Sequence, residues 1–179
     1  MGTKFSTRVW VSVVGIASIF FGSKGYADTV ISVADFGLKP DTRENAVAYV
    51  QKAIEACRGK EPVTLVFPEG RYDFWPQYAH EKNYYETNTY DVFPKRLAML
   101  FEGLHNITVD GSGSQFIMHD RIQPITVENC DGVTLKNFSI DWDIPLTAQA
   151  RVTKVGSDFF EIEINVLESP YIIEDGKLV

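Results

Sequence analysis

Two aspartates flank a tryptophan at the end of a strand-like run, at Asp141, Trp142 and Asp143. In an extended strand the two carboxylates lie on one face, about 6.6 Å apart at roughly 3.3 Å per residue, and Trp142 faces the other way. Carboxyl groups about 6.5–9.5 Å apart are the pair with which an inverting glycosidase activates water. Parallel side chains do not approach opposite sides of an anomeric carbon, however. We therefore favour turn hydrogen bonds for the two aspartates, then sugar binding, over catalysis.

A second polar group, His119-Asp120-Arg121, follows another strand-like run. His119 and Arg121 carry N–H donors that suit sugar hydroxyls, whereas the favoured alternative is a solvated turn, since polar triplets are common in loops. The aromatic segment Trp75 to Lys95 has no sustained period and is predicted to be a long loop, whose rings either stack on sugar faces or pack against the fold. The candidates for substrate binding are Asp141, Trp142, Asp143, His119 and Arg121.

The remaining polar motifs do not predict a cofactor or a metal. His80, His105 and His119 have no second ligand at the spacing that metal sites use, so no metal site is expected. The glycine-rich Asp110 to Ser114 lacks the lysine and the following helix of a phosphate-binding loop, and we interpret it as a turn. Cys57 and Cys130 could pair in an oxidising compartment, but both fall on apolar patterns and are better explained as small buried residues.

The segment from Met1 to Ala27 resembles an export signal. Lys4 and Arg8 precede an apolar run from Val9 to Phe21, and Gly25-Tyr26-Ala27 has small residues at both ends. This is the pattern of a secretory signal peptide cleaved after Ala27, and the run is shorter than the roughly 20 residues that span a bilayer. We therefore expect a periplasmic or extracellular protein that needs no membrane after cleavage, with association with the outer cell surface as an open alternative.

Composition and net charge limit the classes of binding partner that we expect. The chain is 45% apolar and 23% charged, which is typical of a globular protein. Its net charge is -7, and loss of the signal, which carries three basic and no acidic residues, makes it -10. Nucleic acid is disfavoured as a partner, acidic polysaccharides are weakly disfavoured, and neutral glycans remain open.

The first elements after the signal are a strand, a helix and two more strands. Val30 to Phe36 reads as a strand, and Asp41 with Glu44 as a capping box for a helix that ends at Gly59. The turn Pro68-Glu69-Gly70 joins the other two strands, Val63 to Phe67 and Arg71 to Phe74. One face of the helix is apolar, at Val47, Val50, Ala53, Ile54 and Cys57.

Short β-rich runs then recur between turn-forming residues. Two windows, Asn106 to Gly111 and Gly132 to Asn137, each place an apolar or β-branched triplet between turn formers, with Ile107 and Val133 at equivalent positions. Strands this short can stack on the equivalent strand of the next coil, so the pattern predicts a right-handed parallel β-helix. The alternative is an antiparallel sandwich. The runs span 98–101, 107–109, 116–118, 125–127, 133–135 and 138–140.

The N-terminal segment resembles the pectin-lyase-like superfamily of β-helix proteins. The resemblance runs from Ile31-Ser32-Val33-Ala34-Asp35-Phe36-Gly37 through Ala53 to Cys57 and Val66 to Tyr72. In that superfamily the segment forms a helix that caps one end of the solenoid. The fold expected is mainly β, a right-handed parallel β-helix with an N-terminal capping α-helix, truncated in this chain.

A second stretch, Asp120 to Cys130 and Val133 to Thr147, resembles the bacterial exo-α-1,3-galactosidases of glycoside hydrolase family 110. That resemblance implies removal of terminal α-1,3-linked galactose, as in blood-group B and linear α-galactosyl epitopes, by inversion, with two carboxylic acids and no cofactor. Family members are several hundred residues long, and their acid and base are expected beyond Val179. Residues 28–179 would then be the N-terminal part of a β-helix domain and inactive alone.

Two other functions fit the same fold. A polysaccharide lyase or polygalacturonase would need basic residues or calcium to hold uronates, which the charge of the mature chain makes less attractive. A non-catalytic β-helix that binds glycans remains open as well.

Overall fold

A computed structural model describes residues 29–84 and 94–178 of the chain. The expected signal at 1–27 and the aromatic residues Tyr85, Tyr90 and Phe93 lie outside the described residues. The described part is mainly β, with parallel sheets and few helices, which confirms the predicted class. The strands are β1 (Thr29–Ser32), β2 (Val63–Val66), β3 (Arg71–Phe74), β4 (His80–Lys82), β5 (Lys95–Glu102), β6 (His105–Met118), β7 (Gln123–Glu128), β8 (Asp131–Trp142), β9 (Ala150–Val155), β10 (Phe160–Ile164), β11 (Ile173–Glu174) and β12 (Lys177–Leu178), with the helix α1 (Val47–Cys57) between β1 and β2.

The first strand is shorter than predicted. β1 ends at Ser32, and Val33–Phe36 form a 3₁₀ helix in place of the predicted strand. The Ser32 hydroxyl accepts a hydrogen bond from the Ala34 N–H, and the Asp35 carboxylate accepts one from the Ser32 N–H. This is a capping box, a local signal that outweighed the β-branched pattern.

The helix α1 has the predicted buried face and a different start. Its five predicted apolar residues are all buried, whereas the predicted cap Asp41 lies well before the first turn and has a positive φ of 61°. The Asn45 side chain instead accepts a hydrogen bond from the Val47 N–H at 3.1 Å. Gly59, predicted to end the helix, has φ of 75° directly after the C-cap residue Arg58.

Stacked parallel strands form the main sheet. β1 pairs with β2, β2 and β3 both pair with β6, and β6 pairs with β8. Ile107 is in register with Val133, which confirms the predicted equivalence of the two windows. The offset from β2 to β6 is longer, with Val63 opposite Ile107, because the chain makes an excursion between β3 and β5.

Two predicted turns are bends within long strands. The strand β6 includes the whole segment Asp110 to Gly113, and the register with β8 shifts between Asp110 and Ser114. Ser112 and Gly113 have positive φ values of 51° and 90°, and Asn137 has 59° in the next layer. Strand pairing continues on both sides of each bend, so the strand changes direction while it remains part of the sheet.

A second sheet contains β4, β5 and β7. β5 and β7 are parallel, with Met99 opposite Ile125, while β4 is antiparallel to β5. The strand β4 corrects the prediction that Trp75 to Lys95 is all loop. After β8 the chain forms two antiparallel hairpins, β9–β10 and β11–β12.

The core lies between the two sheets and α1, and it is filled by side chains that stack from layer to layer. Leu65 and Val109 are in register and fully buried, whereas their next partner, Leu135, is 39% exposed because no described strand covers β8. Cys57 is a buried free thiol whose pKa is raised by burial to about 11, and Cys130 is a half-buried free thiol. Among the described residues, no helix combines the length and the apolar character needed to cross a bilayer.

Candidate functional site

Three polar or aromatic residues follow three neighbouring strands at one edge of the main sheet. Phe74, Met118 and Trp142 are in register as the last residues of β3, β6 and β8. The pairing continues one residue further, because the His119 N–H donates to the Phe74 carbonyl at 2.9 Å and the Asp143 N–H to the Met118 carbonyl at 3.0 Å. Trp75, His119 and Asp143 therefore occupy equivalent positions in successive layers.

A buried carboxylate, that of Asp73, lies beside this column. Strand alternation in β3 directs Tyr72 and Phe74 into the core, so Asp73 lies on the outward face together with Arg71. The Asp73 side chain is nevertheless 0% exposed. Arg71 covers it, with Nε 3.0 Å from Oδ2 and Nη2 2.6 Å from Oδ1, and Arg43 Nη1 lies 3.9 Å from Oδ1.

Burial raises the pKa of Asp73, but hydrogen bonds from Arg71 and then His119 more than offset this effect. The pKa of Asp73 consequently lies below its usual value. The hydrogen bond with Asp73 raises the pKa of Arg71 above its already high value. Asp73 is thus held as a carboxylate, which makes it unsuited to act as a general acid near neutral pH.

His119 is held on two sides. Its Nε2 lies 2.8 Å from Asp73 Oδ1, and its ring stacks on Trp75 with centroids 3.8 Å apart and planes 5° apart. Trp75 in turn is held by Asn45, which accepts from the Trp75 N–H at 3.2 Å and donates to the Gln77 carbonyl at 2.9 Å. The side chain of His119 remains 15% exposed.

Asp143 is the exposed member of the group. Its Oδ1 accepts a hydrogen bond from Arg71 Nη2 at 2.9 Å, so Arg71 bridges the buried and the exposed aspartate. Its Oδ2 lies 3.8 Å from His119 Nδ1, which is beyond hydrogen-bond distance. The Asp143 side chain is 42% exposed and therefore accessible to a ligand.

The structure separates the five predicted substrate-binding residues. His119 and Asp143 come together, although a whole coil of the chain lies between them in the sequence. Trp142, the last residue of β8, faces the core and donates its Nε1–H to the Asp120 carbonyl at 3.2 Å. Asp141 is exposed, and its carboxylate accepts from the Trp142 N–H. Arg121 is exposed and makes no side-chain hydrogen bond with a described residue.

Four residues of the site were absent from the sequence-based candidates: Arg71, Asp73, Arg43 and Asn45. The alternation Arg71-x-Asp73 after a turn was a usable signal, because it places opposite charges on one strand face. The proximity of Asp73 to His119 was not predictable, since it depends on the long sequence offset at which β3 pairs with β6.

A second charged cluster lies on the other sheet. Glu102 and Glu128 are in register on β5 and β7, and Lys82 Nζ lies 2.7 Å and 2.9 Å from their carboxylates. Tyr84 donates a hydrogen bond to Glu128. Hydrogen bonds from Tyr84 and then Lys82 lower the pKa of Glu128. These contacts attach the excursion that contains β4 to the sheet.

The described residues contain no group of three or more His, Cys, Asp or Glu side chains placed to hold a metal ion. The edge of the main sheet instead offers oriented hydrogen-bonding groups around a partly exposed carboxylate. Such a surface suits a neutral, hydroxyl-rich ligand. Fold and site together define a mainly β protein with stacked parallel strands and a cluster of polar side chains at the strand ends.

No family model matches the chain. Among curated proteins, it is 60% identical over 152 residues to Alpha-1,3-galactosidase B of Bacteroides thetaiotaomicron, which covers 85% of this chain and 25% of that protein. It is 35% identical over 150 residues to Alpha-1,3-galactosidase A of Shewanella woodyi, covering 83% and 24%. It is 36% identical over 159 residues to an Alpha-1,3-galactosidase B of Phocaeicola vulgatus, covering 87% and 25%.

These identities confirm the predicted resemblance to the α-1,3-galactosidases, which are glycosidases. The chain spans about a quarter of the length of the curated relatives it matches. The expectation that family members are much longer than 179 residues is thereby confirmed as well.

Proposed function

We propose that this chain forms the N-terminal β-helical part of an exported enzyme that removes terminal α-1,3-linked galactose from glycans. The observation that carries the proposal is the 60% identity to a protein named Alpha-1,3-galactosidase B over most of the chain. The substrate is a galactose-terminated oligosaccharide or glycoconjugate, and the linkage is cleaved with inversion by two carboxylic acids from outside residues 1–179.

The parallel register supports a right-handed β-helix as the architecture. The offset from β5 to β7, with Met99 opposite Ile125, equals that from β6 to β8, with Ile107 opposite Val133. Equal offsets in two sheets are those of consecutive coils that share one stack. The helix α1 packs against β1, β2 and β5, where a cap over the first coil would lie. Residues 28–179 are proposed to form this part of the domain.

Galactose release by the complete gene product, read from Met1 to its natural end, tests the activity. We expect release of galactose from Galα1-3Gal and from the blood-group B trisaccharide, and none from the matched control Galα1-4Gal. Proton NMR during early turnover should show β-galactose as the first product. Release of unsaturated uronides from polygalacturonate, or equal cleavage of both disaccharides, would contradict the proposal.

The 179-residue chain alone is expected to show no turnover on the same substrates, since the acid and the base are proposed to lie outside residues 1–179. Measurable hydrolysis by this chain would overturn that expectation. The proposal of export is tested by N-terminal sequencing of the mature protein, which should begin at Asp28. A protein retained in the cytoplasm with Met1 intact would contradict it.

A further inference from the structure

The site at the edge of the main sheet has one pair of acceptor atoms to which no described residue donates a hydrogen bond. Asp143 Oδ2 accepts no hydrogen bond from a described residue, while its partner oxygen is bound by Arg71. His119 Nδ1 faces this oxygen at 3.8 Å, which is too far for a direct hydrogen bond. Both groups belong to partly exposed side chains, so a ligand can reach them.

The buried Asp73 determines the tautomer of His119. A carboxylate only accepts hydrogen bonds, and Asp73 Oδ1 lies 2.8 Å from Nε2, so Nε2 must carry the proton. In the neutral imidazole the other nitrogen, Nδ1, then has a free lone pair. The stacked Trp75 ring prevents the imidazole from turning away. The column therefore presents a fixed imidazole nitrogen, which is an acceptor when the ring is neutral, and a fixed carboxylate oxygen toward the same point.

We propose that His119 Nδ1 and Asp143 Oδ2 form a binding site for neighbouring hydroxyl groups of a neutral sugar, with galactose as the sugar on the basis of the proposed function. Each acceptor atom accepts a hydrogen bond from one sugar hydroxyl, and no proton is transferred. Arg71, Asp73 and Trp75 act as positioning residues. Two adjacent acceptors reject anions, so the site selects galactose over galacturonate.

Titration of the full chain with methyl α-D-galactopyranoside, followed by NMR, tests the site. Asp143→Asn, which replaces the acceptor oxygen by an amide, should weaken binding by at least about tenfold, the loss typical of a hydrogen bond to a charged group. The matched control is Asp141→Asn, an exposed aspartate two residues away whose carboxylate is turned to its own backbone. It should bind as the wild-type chain does.

A second measurement needs no substitution. In the wild-type chain, the ¹⁵N resonance of His119 Nδ1 should move when the galactoside is added, while that of Nε2, bound to Asp73, stays in place. Methyl α-D-galacturonoside should produce smaller shifts at equal concentration. No shift at Nδ1, equal losses in both variants, or preference for the uronide would each overturn the site.

The two proposals fail separately. Galactoside binding at His119 and Asp143 without hydrolysis by the complete gene product would contradict the galactosidase function and leave the site standing. Hydrolysis of Galα1-3Gal together with unshifted His119 resonances would contradict the site and leave the function standing.

Discussion

At the scale of single residues, the molecule depends on a charge buried on the outward face of a strand. Asp73 is fully covered although its neighbours Tyr72 and Phe74 occupy the core side. A buried carboxylate is tolerable only when its oxygens are paired, and Arg71 and His119 supply that pairing. Arg71 also orients the exposed Asp143, so the stability of the fold and the geometry of the proposed sugar site depend on one set of hydrogen bonds.

Asp73→Asn is expected to destabilise the fold by about 3 kcal/mol at neutral pH, because Arg71 and His119 would keep their desolvation without the balancing charge. Urea unfolding monitored by circular dichroism measures the change. Asp141→Asn, at an exposed position on the same face, should stay within about 0.5 kcal/mol of the wild-type chain. Similar unfolding midpoints for the two variants would contradict a structural role for Asp73.

Acid should destabilise the fold because it protonates Asp73. The pKa of Asp73 is lower in the folded state than in the unfolded chain, where it is about 3.9. Its contribution is therefore complete above pH 4 or so and is lost as the pH falls through the folded-state pKa. Asp110 and Glu128 also have lowered pKa values and titrate in the same window.

Comparison of the free energy of unfolding of the wild-type chain with that of Asp73→Asn isolates the contribution of Asp73 to the pH dependence. That difference in the free energy of unfolding should be largest near neutral pH and should shrink below pH 4. A series of urea titrations between pH 2.5 and 7 gives it directly. A constant difference across that range would show that Asp73 does not titrate as its contacts require.

At the scale of elements, the bends of β6 and β8 determine how closely successive layers approach. Asp110 Oδ1 accepts from the Ser112 N–H at 2.9 Å and from Asn137 Nδ2 at 3.0 Å, so one side chain ties the bend of one layer to the bend of the next. Gly111 lies at the point of closest approach. A Cβ atom there would be 2.5 Å from Phe138 Cβ and 2.7 Å from the Asn137 carbonyl oxygen.

Gly111→Ala is therefore expected to cost about 1–3 kcal/mol, since the β8 backbone would have to move away. Thermal unfolding of the variant tests this expectation. The neighbouring Ser112→Ala is the control, because the Ser112 side chain is exposed and makes no hydrogen bond with a described residue. It should unfold as the wild-type chain does, and an equal loss in both variants would contradict close packing at Gly111.

Patterns that act over a few residues predicted the elements well. The buried face of α1 and the equivalence of Ile107 on β6 with Val133 on β8 both followed from apolar spacing. The 3₁₀ helix after Ser32 and the strand β4 did not. The former depends on a capping box that competes with a β-branched run, and the latter is short and owes its pairing to β5.

The site was predictable only in part for a related reason. His119 and Asp143 have residue types that suggest binding, and the register of Met118 with Trp142 brings them into neighbouring layers. Asp73 and Trp75 reach them across a much longer offset, whose length depends on where the excursion leaves and rejoins the stack. Spacing along the chain gives no measure of that offset.

At the scale of the whole molecule, burial falls off at one end of the stack. The inward column is buried at Leu65 and Val109 and opens at Leu135, and Ile140 on the same strand is 38% exposed. The free side of β8, which pairs with no further described strand, and these apolar side chains together form a surface that favours association with another β edge.

The 179-residue chain is therefore expected to self-associate in a concentration-dependent manner. Leu135→Lys should lower the weight-average mass seen in sedimentation velocity, because an inward-pointing charge at the open end of the stack opposes burial of this surface against another sheet edge. Ser139→Lys adds the same charge on the outward face of β8 and serves as the control. Unchanged sedimentation of the leucine variant would indicate that this edge is not the contact surface.

The unequal offsets between strands have a practical consequence for protein engineering. The length of chain that separates the paired strands β3 and β6 is considerably greater than the length that separates β5 and β7. Both pairs of strands are nevertheless parallel and in register, so we call the longer connection a detour. Chain length between layers is thus independent of the register that holds the layers together. A foreign segment spliced into this detour would therefore lengthen it without altering the paired strands on either side.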